Sequence, residues 1–277
     1  MLVVRELSKK FGGLKAVDDL SFNVKSGTVH SIIGPNGAGK TTLVNMITGV
    51  YKVTSGEIYL KKENETYAED DIEEIIHGKR ENITNLSMSK LVHKGVCRTF
   101  QHLEICNTMS ALENIMLGFH KFMNKNFILS CINSKKIRED EQKYEYEAMK
   151  YLKMFSLDDV AYKKADSLSY GVLKKIEIIR ALATKPRLVL FDEPVAGLNP
   201  KETADISAII KEVANEGISV ILIEHDMKMV MQISDWITVV NFGKKLAEGT
   251  PVEISNNEDV INAYLGSRHK KKLANNG

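Results

Sequence analysis

The stretch GPNGAGKT at 34–41 constrains this 277-residue chain more than any other feature. It fits the pattern GxxxxGK[ST], with Gly34, Gly39, Lys40 and Thr41 at the fixed positions. An apolar run that reads as a buried strand precedes it, and an apolar helix beginning near Lys40 follows it. Glycines let the backbone curl so that successive N–H groups point inward, and the helix N-terminus adds positive potential. The stretch therefore predicts a phosphate-binding loop between a strand and a helix.

Ligand chemistry assigns roles within this loop. Lys40 brings a compact positive charge to the outer phosphates, and Thr41 offers a hydroxyl to Mg²⁺. The nucleotide-binding residues predicted here are Asn36, Gly37, Ala38, Gly39, Lys40, Thr41 and Thr42.

Two further apolar runs, LVLF and SVILI, end in acidic side chains. The first leads into Asp192 and Glu193, and the second leads into Glu224 and His225. Continuous β-rich runs separated by helical stretches favour a doubly wound parallel sheet, which binds ligands at the carboxyl ends of its strands. We therefore expect Asp192 to hold the metal and Glu193 to orient or deprotonate an attacking water.

Composition excludes several other classes of protein. The formal net charge of +2, from 38 basic and 36 acidic side chains, gives no electrostatic case for nucleic-acid binding. Three cysteines without CxxC spacing fit a reducing compartment, and no apolar run approaches the roughly 20 residues of a membrane helix. A GTPase should carry an NKxD motif, which is absent, and no second substrate pocket for a small-molecule kinase is evident.

A second phosphate site is predicted at LSYGV, residues 168–172, which opens the helix before the LVLFDE strand. Ser169 and Gly171 would present a hydroxyl and bare backbone N–H groups at a helix N-terminus. One chain seldom needs two such sites for one nucleotide, but two chains arranged head to tail do. In this arrangement the sequence resembles the ATP-binding cassette (ABC) family, whose signature LSGGQ lies between the phosphate loop and the acidic strand.

The resemblance implies roles for residues that match the family in order. Phe11 stands where an aromatic ring stacks on adenine, and Val17 joins it among the implied nucleotide contacts. Gln101, in RTFQ, stands where a glutamine senses Mg²⁺ and the γ-phosphate, and His225 stands at the switch histidine. The implied catalytic residues are Glu193, His225 and Gln101, and the implied metal ligands are Thr41, Gln101 and Asp192.

Departures from the family pattern point to a subfamily. Tyr170 and Val172 replace a glycine and the glutamine of the signature, and Asn199 replaces the usual aspartate. With GVCRTFQHLEICNTMSALENIMLG and the ending NNEDVINAYLG, the chain resembles the ATPase subunit of branched-chain amino acid importers. Alternatives are a related urea or amide importer, a soluble ABC protein acting on DNA or ribosomes, and a regulatory module without turnover.

The resemblance implies ATP and Mg²⁺ as cofactors and membrane-spanning permease subunits as partners. It also implies a second ATPase subunit, an indirect link to a substrate-binding protein, and a peripheral position on the cytoplasmic face of the membrane. The expected fold class is α/β: a P-loop NTPase core with a mostly parallel sheet, an antiparallel β subdomain and a helical signature subdomain.

We expect one domain over 1–277. Its expected parts are a nucleotide-binding core with the β subdomain at 1–100 and 185–250, a helical subdomain at 102–184, a C-terminal helical tail at 251–277, and a polar, solvated insertion at 61–94.

Overall fold

The computed structural model describes residues 1–62, 80–99, 103–123 and 135–264, with only the backbone described at 135–137. The strands in this part of the chain are β1 Leu2–Phe11, β2 Leu14–Val24, β3 Val29–Ile33, β4 Ser55–Lys61, β5 Arg80–Asn82, β6 Val96–Arg98, β7 Leu188–Asp192, β8 Ser219–Ile223, β9 Trp236–Asn241 and β10 Lys244–Gly249. The helices are α1 Lys40–Ile47, α2 Met88–His93, α3 Ala111–Met116, α4 Lys135–Met154, α5 Tyr170–Ala183, α6 Pro200–Asn215, α7 Met227–Ile233 and α8 Pro251–Ser255.

The larger sheet has the strand order β10-β9-β3-β8-β7-β6. Its strands run parallel except for β10, which pairs antiparallel with β9. Every residue of β3, β7 and β8 is buried, as continuous apolar runs in a parallel sheet require. Leu190 and Ile221 pack in one core cluster with α1, whereas Phe191 and Leu222 pack in another with α6 and α7. Helices therefore cover both faces, and the expected P-loop α/β fold class is confirmed.

The smaller sheet is antiparallel, with the order β2-β1-β4-β5. Its apolar face joins α1 in one cluster, so it covers part of the parallel sheet. The expectation of a polar, solvated insertion at 61–94 is wrong for its second half. There β5 pairs with β4, and the side chains of Ile83 and Leu91 are buried. Isolated apolar side chains in a charged stretch are enough to dock a short strand and helix. The acidic residues of 63–79 lie outside the described residues.

A helical unit lies between β6 and β7 in the chain. Helices α3, α4 and α5 share a core of their own, in which the Phe119 and Tyr144 rings stack with centroids 5.1 Å apart. Ser110 begins α3 with a reciprocal capping box to Glu113. This unit carries LSYGV at the start of α5.

The parallel register brings three strand ends to one edge. Ile32 pairs with Ile223, and Ile223 pairs with Asp192, so β3, β8 and β7 finish side by side. The three polar segments that follow these strands are therefore neighbours, although they are remote in sequence. No helix among the described residues is both long and apolar enough to span a bilayer.

Candidate nucleotide-binding site

The loop at 34–39 requires glycine because backbone from other elements lies against it. Gly39 begins α1 with a φ of +104°, and a Cβ there would lie 2.4 Å from the carbonyl oxygen of Ala16. A Cβ on Gly34 would lie 2.0 Å from the carbonyl oxygen of Val240. Next to Ala16, the Gly243 N–H donates to the carbonyl of Ala38 at 2.8 Å. The loop is therefore held by β2 and by the β9–β10 turn, which fixes its curvature.

Lys40 lies at the centre of this loop. Its side chain is buried, with the residue 6% exposed, and Nζ donates to the carbonyls of Gly34 at 2.7 Å and Pro35 at 3.1 Å. Burial lowers the pKa of the Lys40 ammonium, while the Glu193 and Asp192 carboxylates act to raise it. Among the described residues the hydrogen-bond partners of this desolvated cation are two neutral carbonyls, and phosphate oxygens would be stronger partners.

The other predicted loop residues divide by exposure. Asn36, Gly37 and Thr41 are exposed, Thr42 is half-buried, and Ala38 is buried, so its side chain faces the core.

Asp192 ends β7 and is 2% exposed. Its Oδ2 accepts from Arg98 Nη2 at 2.6 Å, and Arg98 Nη1 reaches Asn45 Oδ1 at 2.6 Å and Thr48 Oγ1 at 3.3 Å. Arg98 is not among the site residues predicted from the sequence. In the sequence, Arg98 is marked only as the first residue of RTFQ, a charged side chain at the end of a short strand. It joins the acidic strand to the helix that follows the phosphate loop.

The oxygen donors beside the phosphate loop are of the kind that Mg²⁺ takes. The described residues hold no cluster of three or more His, Cys, Asp or Glu side chains suited to a metal. Mg²⁺ usually takes one or two protein ligands and completes its octahedron with waters and substrate phosphates. Asp192 and the exposed Thr41 fit such a site beside a bound triphosphate.

Glu193 and His225 meet at the ends of β7 and β8. His225 Nε2 lies 3.0 Å from Glu193 Oε1, and both side chains are partly open to solvent. The backbone of Glu193 is left-handed, with a φ of +53°. The structure thus brings Glu193, the predicted base, into contact with His225, the predicted switch histidine.

Glu224, noted in the sequence only as the polar end of a strand, lies behind this pair. It is buried, and its carboxylate accepts from the backbone N–H groups of Val195 at 3.0 Å and His225 at 2.9 Å. Burial raises the pKa of the Glu224 carboxyl and the Glu193 charge raises it further, whereas the backbone N–H donors lower it.

Phe11 and Val17 lie on the β1–β2 hairpin beside the loop. Phe11 is 44% exposed and meets Tyr51 edge to face with ring centroids 5.4 Å apart, so a ring surface is available for stacking. Val17 is fully buried in the core beneath the antiparallel sheet. Strand geometry turns the Val17 side chain inward, and the implied nucleotide contact at this position stays a prediction.

The start of α5 is open to solvent. Ser169 is exposed, and its hydroxyl makes no capping bond to the helix. Gly171 is buried, and a Cβ there would lie 2.3 Å from Glu202 Oε1. Glu202 accepts from the Asn199 N–H at 3.0 Å in the capping box of α6. Gly171 therefore has a packing role that the sequence pattern did not predict. Gln101 lies outside the described residues.

A glycine loop with a buried lysine, set beside a buried aspartate at the edge of a parallel sheet, defines the class of P-loop nucleotide-binding proteins. Comparison with known proteins narrows this class. A family profile described as "ABC transporter" matches residues 17–196, and a second, "Branched-chain amino acid ATP-binding cassette transporter", matches residues 244–270. The chain belongs to the ABC transporter family and is one of its nucleotide-binding ATPases.

Relatives and solved structures agree with this assignment. The chain is 42% identical to the high-affinity branched-chain amino acid transport ATP-binding protein BraF of Pseudomonas aeruginosa, over 96% of this chain and 98% of the relative. It is 38% identical to the high-affinity branched-chain amino acid transport ATP-binding protein LivG of Escherichia coli, over 96% of this chain and 98% of the relative. Among solved structures, the ADP conformation of an ATP-binding cassette of an ABC transporter superposes with a TM-score of 0.78, at 33% identity, over 96% of this chain and 98% of that chain.

Proposed function

We propose that this chain is the ATP-hydrolysing subunit of an importer for branched-chain amino acids. The observation that carries the catalytic part is the 3.0 Å contact of Glu193 with His225, beside the buried Lys40 and Asp192. The names of the relatives support the transport part, as does the subfamily profile at 244–270.

The proposed chemistry follows from the positions of these side chains. Lys40 exchanges its carbonyl partners for the β- and γ-phosphate oxygens, and Phe11 stacks on the adenine. Asp192, Thr41 and Gln101 hold Mg²⁺, which when bound neutralises phosphate charge during transfer. Glu193 orients or deprotonates the attacking water. His225, which contacts the Glu193 carboxylate, fixes the γ-phosphate.

The second phosphate site completes the proposal. Ser169 and the N-terminus of α5 face solvent, so they are available to cover the γ-phosphate held by a second ATPase subunit. Closure and reopening of that pair would drive permease subunits in the membrane. The chain would then lie on the cytoplasmic face as a peripheral subunit, and the amino acid would never touch it.

The test is uptake by cells from which this gene is deleted. We expect radiolabelled leucine, isoleucine and valine uptake to fall, and the wild-type gene to restore it. Lys40→Ala should not restore uptake, although its product should be present at the wild-type level. If branched-chain uptake is unaffected while urea or amide uptake is lost, the substrate assignment is wrong but the ATPase assignment stands.

A further inference from the structure

The backbone of Glu193 is held in an unfavourable conformation. Its φ of +53° lies in the left-handed region, where a side chain with a Cβ is disfavoured. Such a conformation persists only where surrounding contacts determine it, and it is found most often at functional sites. The contacts that hold this backbone therefore decide where the Glu193 carboxylate points.

Besides the turn bond from the Ala196 N–H to the Glu193 carbonyl at 3.2 Å, two hydrogen bonds tie this segment to β8 and to the residue that follows β8. The Glu193 N–H donates to the carbonyl of Ile223 at 2.9 Å, which extends the β7–β8 ladder by one residue. Two residues later, the Val195 N–H donates to Glu224 Oε1 at 3.0 Å. The first bond is ordinary sheet pairing, which any sequence would make. The second depends on one side chain.

The Glu224 carboxylate also holds the turn that carries His225, the partner of Glu193. Glu224 Oε2 accepts from the His225 N–H at 2.9 Å and from the Asp226 N–H at 3.5 Å. Both oxygens therefore accept, each from a different turn. Only a carboxylate presents two acceptors without a donor, since a glutamine would turn an NH₂ group against one of these N–H groups. Burial of the residue keeps water from replacing either bond.

We propose that Glu224 is a positioning residue for hydrolysis, which sets the Glu193 carboxylate against His225 by tying together the turns that carry them. It acts through the backbone N–H groups of these two turns. This inference rests on the proposed role of Glu193 as the base. It differs from a purely structural role, because it predicts a loss in turnover without a loss in nucleotide binding.

The first measurement separates turnover from binding. Glu224→Gln, in the full-length protein within its transporter complex, should lower kcat by roughly 10- to 100-fold, the range that a misplaced catalytic group costs. The KM for ATP and the equilibrium affinity for a fluorescent ATP analogue should stay within about threefold, because the phosphate loop is untouched. Glu216→Gln, at an exposed glutamate that ends α6 just before β8, is the control and should leave both quantities unchanged. Unchanged kcat in Glu224→Gln overturns the proposal.

A double-mutant cycle with Glu193 gives the sharper test. If Glu224 acts by placing Glu193 and His225 against each other, then the loss of kcat in Glu193→Gln combined with Glu224→Gln should be clearly smaller than the product of the two single losses. Additive losses would mean that Glu224 acts elsewhere, which also overturns the proposal. If Glu193→Gln itself turns over at the wild-type rate, the proposed base is wrong, and that failure is seen before Glu224 is considered.

A second variant covers the case in which Glu224→Gln does not fold. Glu224→Asp keeps the charge and shortens the side chain, so it can serve the adjacent His225 N–H while withdrawing from Val195. It should lower kcat in the same direction with ATP affinity retained. Wild-type kcat in this variant contradicts the proposal equally.

Discussion

Helices α1 and α5 both begin at a predicted phosphate site, but the chain encloses the start of α1 and leaves the start of α5 open. At α1, Gly39 lies against backbone from β2, and Lys40 is buried under the loop. At α5, Ser169 and Tyr170 face solvent, and Gly171 packs closely on Glu202.

This difference indicates what each helix end requires. The loop before α1 packs against β2, β9 and the β9–β10 turn of its own chain, so we expect it to bind nucleotide without a second subunit. An exposed helix N-terminus with an uncapped serine has a favourable potential for anions but no walls. We therefore expect substitutions at the first site to change nucleotide binding, and substitutions at the second to change only the association of two subunits.

The largest expected effect separates hydrolysis from association. Glu193→Gln removes the base while Lys40, Thr41 and Asp192 remain to hold MgATP, so hydrolysis should fall by about 10²–10⁴-fold. Loss of a carboxylate beside the triphosphate also relieves repulsion in the closed pair. Glu193→Gln with MgATP should therefore accumulate a dimer, measured by sedimentation alone and with a partner ATPase subunit.

Adding Ser169→Arg to the Glu193→Gln chain tests the open site. The bulky side chain should abolish the dimer while ATP affinity of the single chain stays at the Glu193→Gln value. The control is Ser255→Arg, at an exposed serine on α8, which should leave the dimer intact. A dimer that survives Ser169→Arg would show that the start of α5 is not at the interface.

Equal substitutions at two glycines give the next largest difference. Gly39→Ala sets a Cβ against the Ala16 carbonyl at a φ of +104°, so left-handed strain and overpacking together should cost about 3 kcal/mol of unfolding free energy. Gly171→Ala meets only the end of the Glu202 side chain, which can move. Its cost should be near that of one cap bond, about 1 kcal/mol, partly offset by the better helix propensity of alanine.

Urea unfolding and ATP titration of the same two proteins check this pair. Gly39→Ala should also weaken ATP binding at least tenfold, because the loop can no longer keep its curvature, whereas Gly171→Ala should bind ATP like wild type. Equal unfolding free energies for the two variants would contradict the enclosed-versus-open contrast.

The features predictable from sequence are those with a local signal. Polar residues directly follow three apolar strands: GPNGAGKT follows the first, and acidic side chains follow LVLF and SVILI. Parallel pairing alone brings these strand ends together. The 3.0 Å meeting of Glu193 and His225 follows from this rule and from the family resemblance.

The features that escaped prediction depend on pairing between remote segments. Arg98 reaches Asp192 only because β6 lies next to β7, and Glu224 reaches the Val195 N–H only because β8 lies on the other side of it. The burial of the Val17 side chain is likewise not evident from sequence, because the face to which a strand residue points is set by register. A short strand such as β5, with one buried anchor at Ile83, has too weak a periodicity to be recognised.

The smallest expected effect compares two aromatic residues of equal exposure. Phe11 and Tyr170 are both 44% exposed, the first beside the enclosed site and the second at the open one. Stacking on a base is worth roughly 1–3 kcal/mol, so Phe11→Ala should weaken ATP binding by about 5- to 150-fold. GTP should weaken alike, since stacking tolerates either base, and Phe11→Tyr should bind like wild type. Tyr170→Ala should leave the ATP affinity of the single chain unchanged, because the start of α5 is proposed to meet the nucleotide of a second subunit. Fluorescence titration of both nucleotides against the four proteins measures this. If Phe11→Ala binds ATP as tightly as wild type, the Phe11 ring only packs on its surface neighbours Tyr51 and Lys9. If Tyr170→Ala weakens ATP binding in the single chain, the start of α5 contributes to the chain's own nucleotide site, against the proposal.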